Sequence, residues 1–301
     1  MQVTVPATSA NLGSGFDTAA VGLDLHLRLT ARRTPGPELT ATYRGPQPAA
    51  VPLDGSNLIF RAMAAGLDRG GEVPLGLHLN IDSDIPIGVG LGSSAAATVA
   101  GLLLAGLLSE DRASSELILE LAAAIEGHPD NVAAALLGGF VVAADTGSGI
   151  LARRADLDLD LKFVVVTPEQ PLSTRLSRAV LPDSYDRKDV VWNLQRVALL
   201  TASLFSGGSG LRPELFEDRL HQSQRATLVP GLAECLEARH SDLLGVFLSG
   251  AGSSVVAVAR KSTEEIAALL IDAFSSAGVS SVSRVLAPDN LGAHGQLVAG
   301  D

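Results

Sequence analysis

Between Pro86 and Ala97 the chain reads Pro-Ile-Gly-Val-Gly-Leu-Gly-Ser-Ser-Ala-Ala-Ala, with an alternating segment before it and a long apolar one after it. Gly88, Gly90 and Gly92 let backbone approach a ligand closely, and the unpaired N–H groups of a helix opening at Ser93 or Ser94 add the positive end of its dipole. These residue types suit a polyphosphate, with Ser93 and Ser94 supplying hydroxyls or a cap. The segment is not a Walker A loop, because two serines follow Gly92 where Gly-Lys-Ser/Thr is required, and the G-x-G-x-x-G spacing is missing. The plain alternative is a strand–turn–helix connection with a serine cap; three alternate glycines, two serines and three alanines favour phosphate. Glu120 is the metal candidate. It lies one turn after Glu116 between Leu119 and Leu121, where a carboxylate is costly without a cation, the alternative being a solvated side chain on an amphipathic helix.

A cradle of this kind needs a strand to deliver it and a helix to carry it. The alternation of Leu77–Asp82 predicts that strand, and the apolar run from Ala95 to Leu108 predicts a buried helix, too short for the roughly 20 residues of a membrane span. Upstream, Gln2–Val5, Leu23–Ala31 and Leu39–Tyr43 read as strands and Asn57–Leu67 as a helix. Downstream, Ser114 caps a helix through Ile125, Pro129 opens another that Gly138-Gly139 ends, and Phe140–Ala144 is a strand. A first domain ends near residue 158, in a stretch of glycines and acidic residues. Helices at Thr174–Leu181, Val190–Phe205 and Thr263–Ala277 then alternate with strands at Phe163–Val166, Val246–Leu248 and Val255–Ala259, an order that suits two α+β layers.

Composition narrows the function classes. With 301 residues, 47% hydrophobic and 18% charged, the chain is globular rather than disordered or fibrous. Its 22 basic and 33 acidic residues leave a net charge of −11, a field that repels nucleic acid and anionic lipid. Cys235 is the single cysteine, so neither an intramolecular disulfide nor a thiolate zinc cluster forms. Met1–Pro6 has no basic or apolar region of a secretory signal, and the expected compartment is the cytoplasm.

Four segments resemble the GHMP kinase superfamily. Pro86–Ala96 is similar to its glycine-rich signature, and Pro6-Ala7-Thr8-Ser9-Ala10-Asn11-Leu12-Gly13-Ser14-Gly15-Phe16-Asp17 resembles the amino-terminal signature of its homoserine kinase branch. Glu126-Gly127-His128-Pro129-Asp130-Asn131-Val132-Ala133 resembles the branch's His-x-Asp-Asn element, and Ser249–Ser254 the third motif, with Ser253 where a proline is usual. The resemblance runs from residue 6 to residue 254.

It implies an α+β, two-domain GHMP kinase fold: a ribosomal-S5-like N-terminal, nucleotide-binding domain over residues 1–158 and a ferredoxin-like C-terminal domain over 159–301. It also implies ATP and Mg2+. The nucleotide would meet Pro86, Ile87, Gly88, Val89, Gly90, Leu91, Gly92, Ser93, Ser94, Ala95 and Ala96, with Asn57 bordering the adenine. Magnesium would fall to Glu120 and Ser94, Glu120 standing eight residues before His128 as the family's magnesium glutamate does. Asn131 stands where several members carry an aspartate base, and an amide takes no proton at neutral pH. The hydroxyl proton then passes late to phosphate or water, with Ser94, Glu120 and Asn131 as the catalytic set.

The implied substrate is L-homoserine, phosphorylated on the route to threonine. Arg178, four residues after Thr174, and Arg225, four after His221, would hold its carboxylate, since a guanidinium fork binds a carboxylate bidentately. Asn11, Asp17, His128, Asp130 and Thr174 complete the substrate set. Another GHMP kinase acting on a different small alcohol, such as mevalonate, is the rival enzyme, and a catalytically silent nucleotide-binding member the rival of another class. The sequence is silent on oligomeric state, a homodimer being compatible with it.

Overall fold

The alternation of leucines at 23, 25, 27 and 29 continues further than the sequence suggests, into a strand of 15 residues, β2 (Ala19–Arg33), that organises the first sheet. In the computed structural model, which describes residues 1–67, 76–109 and 113–297, β1 (Gln2–Ala10) lies antiparallel to β2 along nearly all of its length. The second half of β2 pairs with β4 (Leu77–Ser83) and its first three residues with β5 (Phe140–Asp145). β3 (Leu39–Arg44) runs parallel to β4, which requires a crossover; α1 (Leu58–Leu67) lies on that path. The stretch of glycines and acidic residues before the expected boundary contains one more strand, β6 (Ile150–Ala155), antiparallel to β5.

α2 (Ser93–Leu108), α3 (Ser115–Glu126) and α4 (Asp130–Leu137) pack behind this sheet. Ser114 caps α3 by accepting from Leu117 N at 3.3 Å, and Gly127 ends it in the left-handed conformation. α2 is the helix predicted from the apolar run; its Val99, Ala100 and Leu104 are wholly buried. Among the described residues no helix is long and apolar enough to cross a membrane.

The second sheet has β7 (Lys162–Pro168), β8 (Leu243–Leu248), β9 (Val255–Ala259) and β10 (Ser281–Leu286) in the order β10-β7-β9-β8, every neighbouring pair antiparallel. Numbered within the sheet this is 4-1-3-2, the ferredoxin-like order. Phe163-Val164-Val165-Val166 is an unbroken apolar run because β7 is covered on both faces. Phe163 and Val165 join the large core shared with the first sheet, whereas Val164 and Val166 face a second core formed with α9 (Thr263–Ser276) and α8 (Leu232–Leu236). Between β7 and β8 also lie α5 (Thr174–Ala179), α6 (Arg187–Phe205) and the one-turn α7 (Gln222–Arg225).

After β10 the chain returns to the first sheet, where β11 (His294–Gln296) pairs with the free edge of β1. Asp289 anchors the return: its N–H donates to Gly22 O at 2.9 Å, its carbonyl accepts from Gly139 N at 2.6 Å, and its Oδ2 pairs with His26 Nε2 at 2.7 Å. Its Oδ1 accepts from Leu291 N and Gly292 N.

Candidate active site

A large cleft of about 400 Å3 is lined by strands and the glycine turn of the first sheet's half and by loop and helix residues of the second half, among them Leu172, Thr174, Arg178, Arg225 and Gly250. Its floor is the glycine turn between β4 and α2. Gly88, Gly90 and Gly92 all have positive φ, at 73°, 85° and 70°. A Cβ on Gly90 would collide with Ser249 O, and one on Gly92 with Thr8 Oγ1, so these two positions demand glycine for both conformation and space. Of the residues assigned to the nucleotide, Asn57, Ile87, Gly88, Gly90, Leu91, Gly92, Ser93, Ser94 and Ala95 line the cleft. Pro86, Val89 and Ala96 are buried behind it and hold the turn's shape.

The third motif braces that turn. Ser249 Oγ donates to Gly90 O at 2.6 Å, which makes Ser9 the donor in the 2.8 Å contact between Ser9 Oγ and Ser249 Oγ. Ser254 N donates to Val89 O at 3.0 Å, and Leu172 N, from the second half of the chain, to Gly88 O at 2.9 Å. Ser253 is buried and donates to Gln170 O at 2.6 Å. At the other end of the cleft, Leu27, Tyr43, Val51, Pro52, Leu58 and Ile81 form an apolar wall. Asn57 is both a helix cap and a wall residue: Oδ1 accepts from Ile59 N at 2.9 Å and Nδ2 donates to Pro52 O at 2.7 Å.

Glu120 is not at this site. It is exposed on the outer side of α3, its Oε1 beside Gly149 in the β5–β6 turn. The glutamate that reaches the glycine turn is Glu126, the last residue of α3, whose Oε1 accepts from Ser94 Oγ at 2.7 Å and Thr98 Oγ1 at 2.8 Å. Its Oε2 carries no protein hydrogen bond among the described residues. Six residues along a helix is a rotation of about 240°, so Glu120 and Glu126 cannot share a face. Burial of Ile118, Leu119, Ala122 and Ala123 against the core fixes which of them turns inward.

Asn131 opens α4 at the cleft. Its Oδ1 accepts from Thr8 Oγ1 at 2.7 Å, and its Nδ2 lies 3.5 Å from Asp130 Oδ1, so the amide is oriented from both sides. Asp130 Oδ1 also accepts from Asn131 N and pairs with His128 Nδ1, both at 2.7 Å. That pairing raises the pKa of His128 against the opposing effect of its burial. Thr8, within the amino-terminal segment, was not singled out by its own chemistry; its place beside Asn11 in that segment was the available signal.

The remaining predicted residues converge from the β1–β2 loop and from the second half of the chain. Arg178 reaches across to Asp17 with Nη1–Oδ2 at 3.0 Å and Nη2–Oδ1 at 2.9 Å, and Asp17 raises its pKa further. Thr174 lines the cleft while its neighbour Ser173 caps α5 by accepting from Leu176 N. Arg225 is only 2% exposed, and burial pushes its pKa down to about 10, which leaves it charged at neutral pH. Asn11 donates to Gly250 O at 2.8 Å and accepts from Asp17 N at 3.0 Å.

A phosphate cradle, an inward carboxylate and a small charged recess in one cleft define a phosphotransferase for a small molecule. Known proteins agree: residues 57–139 match the family described as GHMP kinases N terminal domain, and residues 201–280 match GHMP kinases C terminal. The homoserine kinase of Moorella thermoacetica is 39% identical over 292 residues, 97% of this chain and 98% of its own. That of Solibacter usitatus is 41% identical over 279 residues, 92% of this chain and 91% of its own. The crystal structure of homoserine kinase from Cytophaga hutchinsonii superposes with a TM-score of 0.84 at 25% identity, covering 98% of this chain and 96% of that one. The chain belongs to the GHMP kinase family and is a kinase of the two-domain fold that its motifs imply.

Proposed function

We propose that the chain transfers the γ-phosphoryl group of ATP to the side-chain hydroxyl of L-homoserine, giving O-phospho-L-homoserine and ADP on the route to threonine. The observation that carries the reading is the charge pattern of the recess: Asp17, Arg178 and Arg225 border the same cleft as the glycine turn. A zwitterionic amino acid needs an anion for its ammonium and guanidinium forks for its carboxylate, whereas mevalonate has no ammonium to match Asp17. The 35–41% identity to proteins named homoserine kinase supports the same substrate.

Residue by residue, the apolar wall takes the adenine, and the N–H groups of Gly88–Ser94 and the first turn of α2 take the phosphates. Glu126 and Ser94 fit a magnesium ion that keeps phosphate oxygens and waters as most of its ligands. Among the described residues no cluster of three or more His, Cys, Asp or Glu forms a cage that would hold a metal without the nucleotide. Bound there, Mg2+ would neutralise charge on the terminal phosphates. Arg178 and Arg225 orient the acceptor, and Asn11 and Asn131 lie where its hydroxyl must sit. Asn131 cannot take the hydroxyl proton. The hydroxyl oxygen bonds to the γ-phosphorus as the bridging bond to ADP breaks, and the proton leaves late to phosphate or water.

A division near residue 158 is supported by the change of sheet between β6 and β7, with residues 287–296 folding back onto the first unit. Cytoplasm is the compartment consistent with one buried cysteine, Cys235. Exposed Val191, Leu194, Leu199 and Phe205 on α6 support a homodimer, which sedimentation would test. The function itself is tested by ADP release with L-homoserine, mevalonate, homoserine lactone and no acceptor side by side, the product identified by phosphorus NMR. Equal rates with all four would overturn the substrate assignment.

A further inference from the structure

His221 is fully buried, stacked on Phe16 with ring centroids 4.9 Å apart, and hydrogen-bonded at both nitrogens. Nε2 lies 2.9 Å from Gly13 O, and Nδ1 lies 3.1 Å from Arg225 Nη1. A carbonyl oxygen only accepts and a guanidinium only donates, so Nε2 must carry the proton and Nδ1 must be bare. One protonation state satisfies both neighbours, the neutral Nε2–H tautomer.

The consequence falls on Arg225. A guanidinium has five N–H groups. Nε–H donates to Ser177 O at 3.2 Å, and Nη1 donates to Gly250 O at 3.0 Å as well as to His221 Nδ1. Among the described residues, only the two N–H groups of Nη2 are left without a partner and free for a ligand in the cleft. His221 supplies the one acceptor on Nη1 that is a side chain and can titrate. Through Gly13 it also ties Arg225 to the loop after β1, which carries Asn11 and Asp17 at the same cleft.

We propose that His221 is a positioning residue for acceptor binding, which as the neutral Nε2–H tautomer holds Arg225 with its Nη2 edge toward the substrate carboxylate. This rests on the reading of Arg225 as a carboxylate-binding residue. Protonation of His221 turns Nδ1 into a donor facing a donor, so acid must weaken acceptor binding specifically. The charged groups facing His221 are Asp218, with Oδ2 3.8 Å from Nε2, Arg225, and Asp17 beyond them. Burial lowers the pKa of His221, and Asp218 and Arg225 then act on it in opposite directions.

Two substitutions separate the two hydrogen bonds. His221→Asn keeps an acceptor oxygen near the position of Nδ1, and His221→Gln keeps a donor near Nε2 but loses the acceptor. The intact enzyme is assayed with ATP and L-homoserine. His221→Gln is expected to raise the KM for homoserine by about tenfold or more, the scale of one hydrogen bond to a charged group, with the KM for ATP within about twofold of wild type. His221→Asn is expected to stay within about threefold of wild type in both. Parallel rises in both KM values, or a KM for homoserine unchanged in His221→Gln, would overturn the proposal. A measurement on wild type covers variants that fail to fold: the imidazole nitrogen NMR signals of His221 at neutral pH should report the Nε2–H form, and an imidazolium or Nδ1–H form overturns it. Wild-type turnover of homoserine is read first, so absence of that activity refutes the substrate reading independently of His221.

Discussion

Asp17 and Arg178 stand 161 residues apart in sequence and meet as a two-pronged ion pair at the mouth of the recess. The pair joins the loop between β1 and β2 to α5, so the two halves of the chain are linked at the border of the cleft. Both partners are partly exposed, at 34% and 39%, and water screens the pair enough that its role is orientation more than stability. Its geometry is also that of a zwitterion's two ends: the ammonium of an amino acid matches Asp17 and its carboxylate matches Arg178.

Arg178→Ala should therefore weaken L-homoserine binding by about 1.5–3 kcal/mol, roughly 10- to 150-fold, with ATP binding little changed. Arg178→Lys should recover only part of the loss, because an ammonium cannot reproduce the fork. An amino alcohol without a carboxylate should bind wild type poorly and lose little more in either variant. Calorimetric titration of both acceptors checks this, and equal losses for the two would make Arg178 a structural residue.

Glu126 and Glu120 give a paired comparison on one helix. Glu126→Gln removes the charge that faces Ser94 and should lower magnesium affinity by at least about tenfold, with partial rescue of turnover at high magnesium. Glu120→Gln, on the exposed side, should retain wild-type kinetics. Magnesium titration of the two variants decides it; a loss of activity confined to Glu120→Gln would restore the assignment that the family resemblance implied.

That contrast shows where the sequence stops being readable. The glycine turn, Asn11, Asp17, Asn131, Arg178 and Arg225 could be named from short segments that resemble the family's motifs or from spacings that resemble its substrate arginines, and the fold brings them to one cleft. Both glutamates sit near apolar neighbours, and which one faces inward depends on how α3 docks on α2 and α4, a tertiary contact that spacing does not encode. β6 and β11 were missed for a related reason. β6 has Arg153 and Arg154 in its middle and glycines at 147 and 149 before it, and β11 has three residues, so each exists only because a neighbouring edge accepts it. The apolar run at Phe163–Val166 announced a strand, but its two covered faces follow from the 4-1-3-2 sheet lying between two cores.

Gly92 carries a constraint set by the fold itself. At φ 70°, with Thr8 Oγ1 in the space a Cβ would fill, Gly92→Val must either move Thr8 or reshape the turn. Thr8 orients Asn131, so the damage should reach the acceptor side as well as the nucleotide. The expected result is a folded but less stable protein, by about 1–3 kcal/mol from backbone strain, with ATP and homoserine binding both impaired. Thermal unfolding and separate titrations of the two ligands test it. Loss of ATP binding with unchanged homoserine affinity would detach Thr8 from the acceptor side.

Asp289 ties the returning C-terminal segment to the first sheet and gives that tie a pH dependence. Burial alone would raise its pKa, but hydrogen bonds from His26, Gly292 N and Leu291 N outweigh that effect and bring it below the ordinary value. A carboxyl whose pKa is lower folded than unfolded stabilises the protein fully above the unfolded value of about 3.9, and the contribution is lost as pH falls through the folded value. Asp289→Asn keeps an acceptor for the two backbone N–H groups but removes the titrating charge beside His26. The variant should be less stable than wild type by about 1 kcal/mol at neutral pH, and the gap should close on acidification below about pH 4 as the wild-type carboxylate protonates. Urea unfolding of both proteins at a series of pH values measures this, and limited proteolysis reports whether residues 287–297 are the part released. Parallel stability curves across the acid range would show that the Asp289 charge contributes nothing and that backbone pairing alone holds β11 in place.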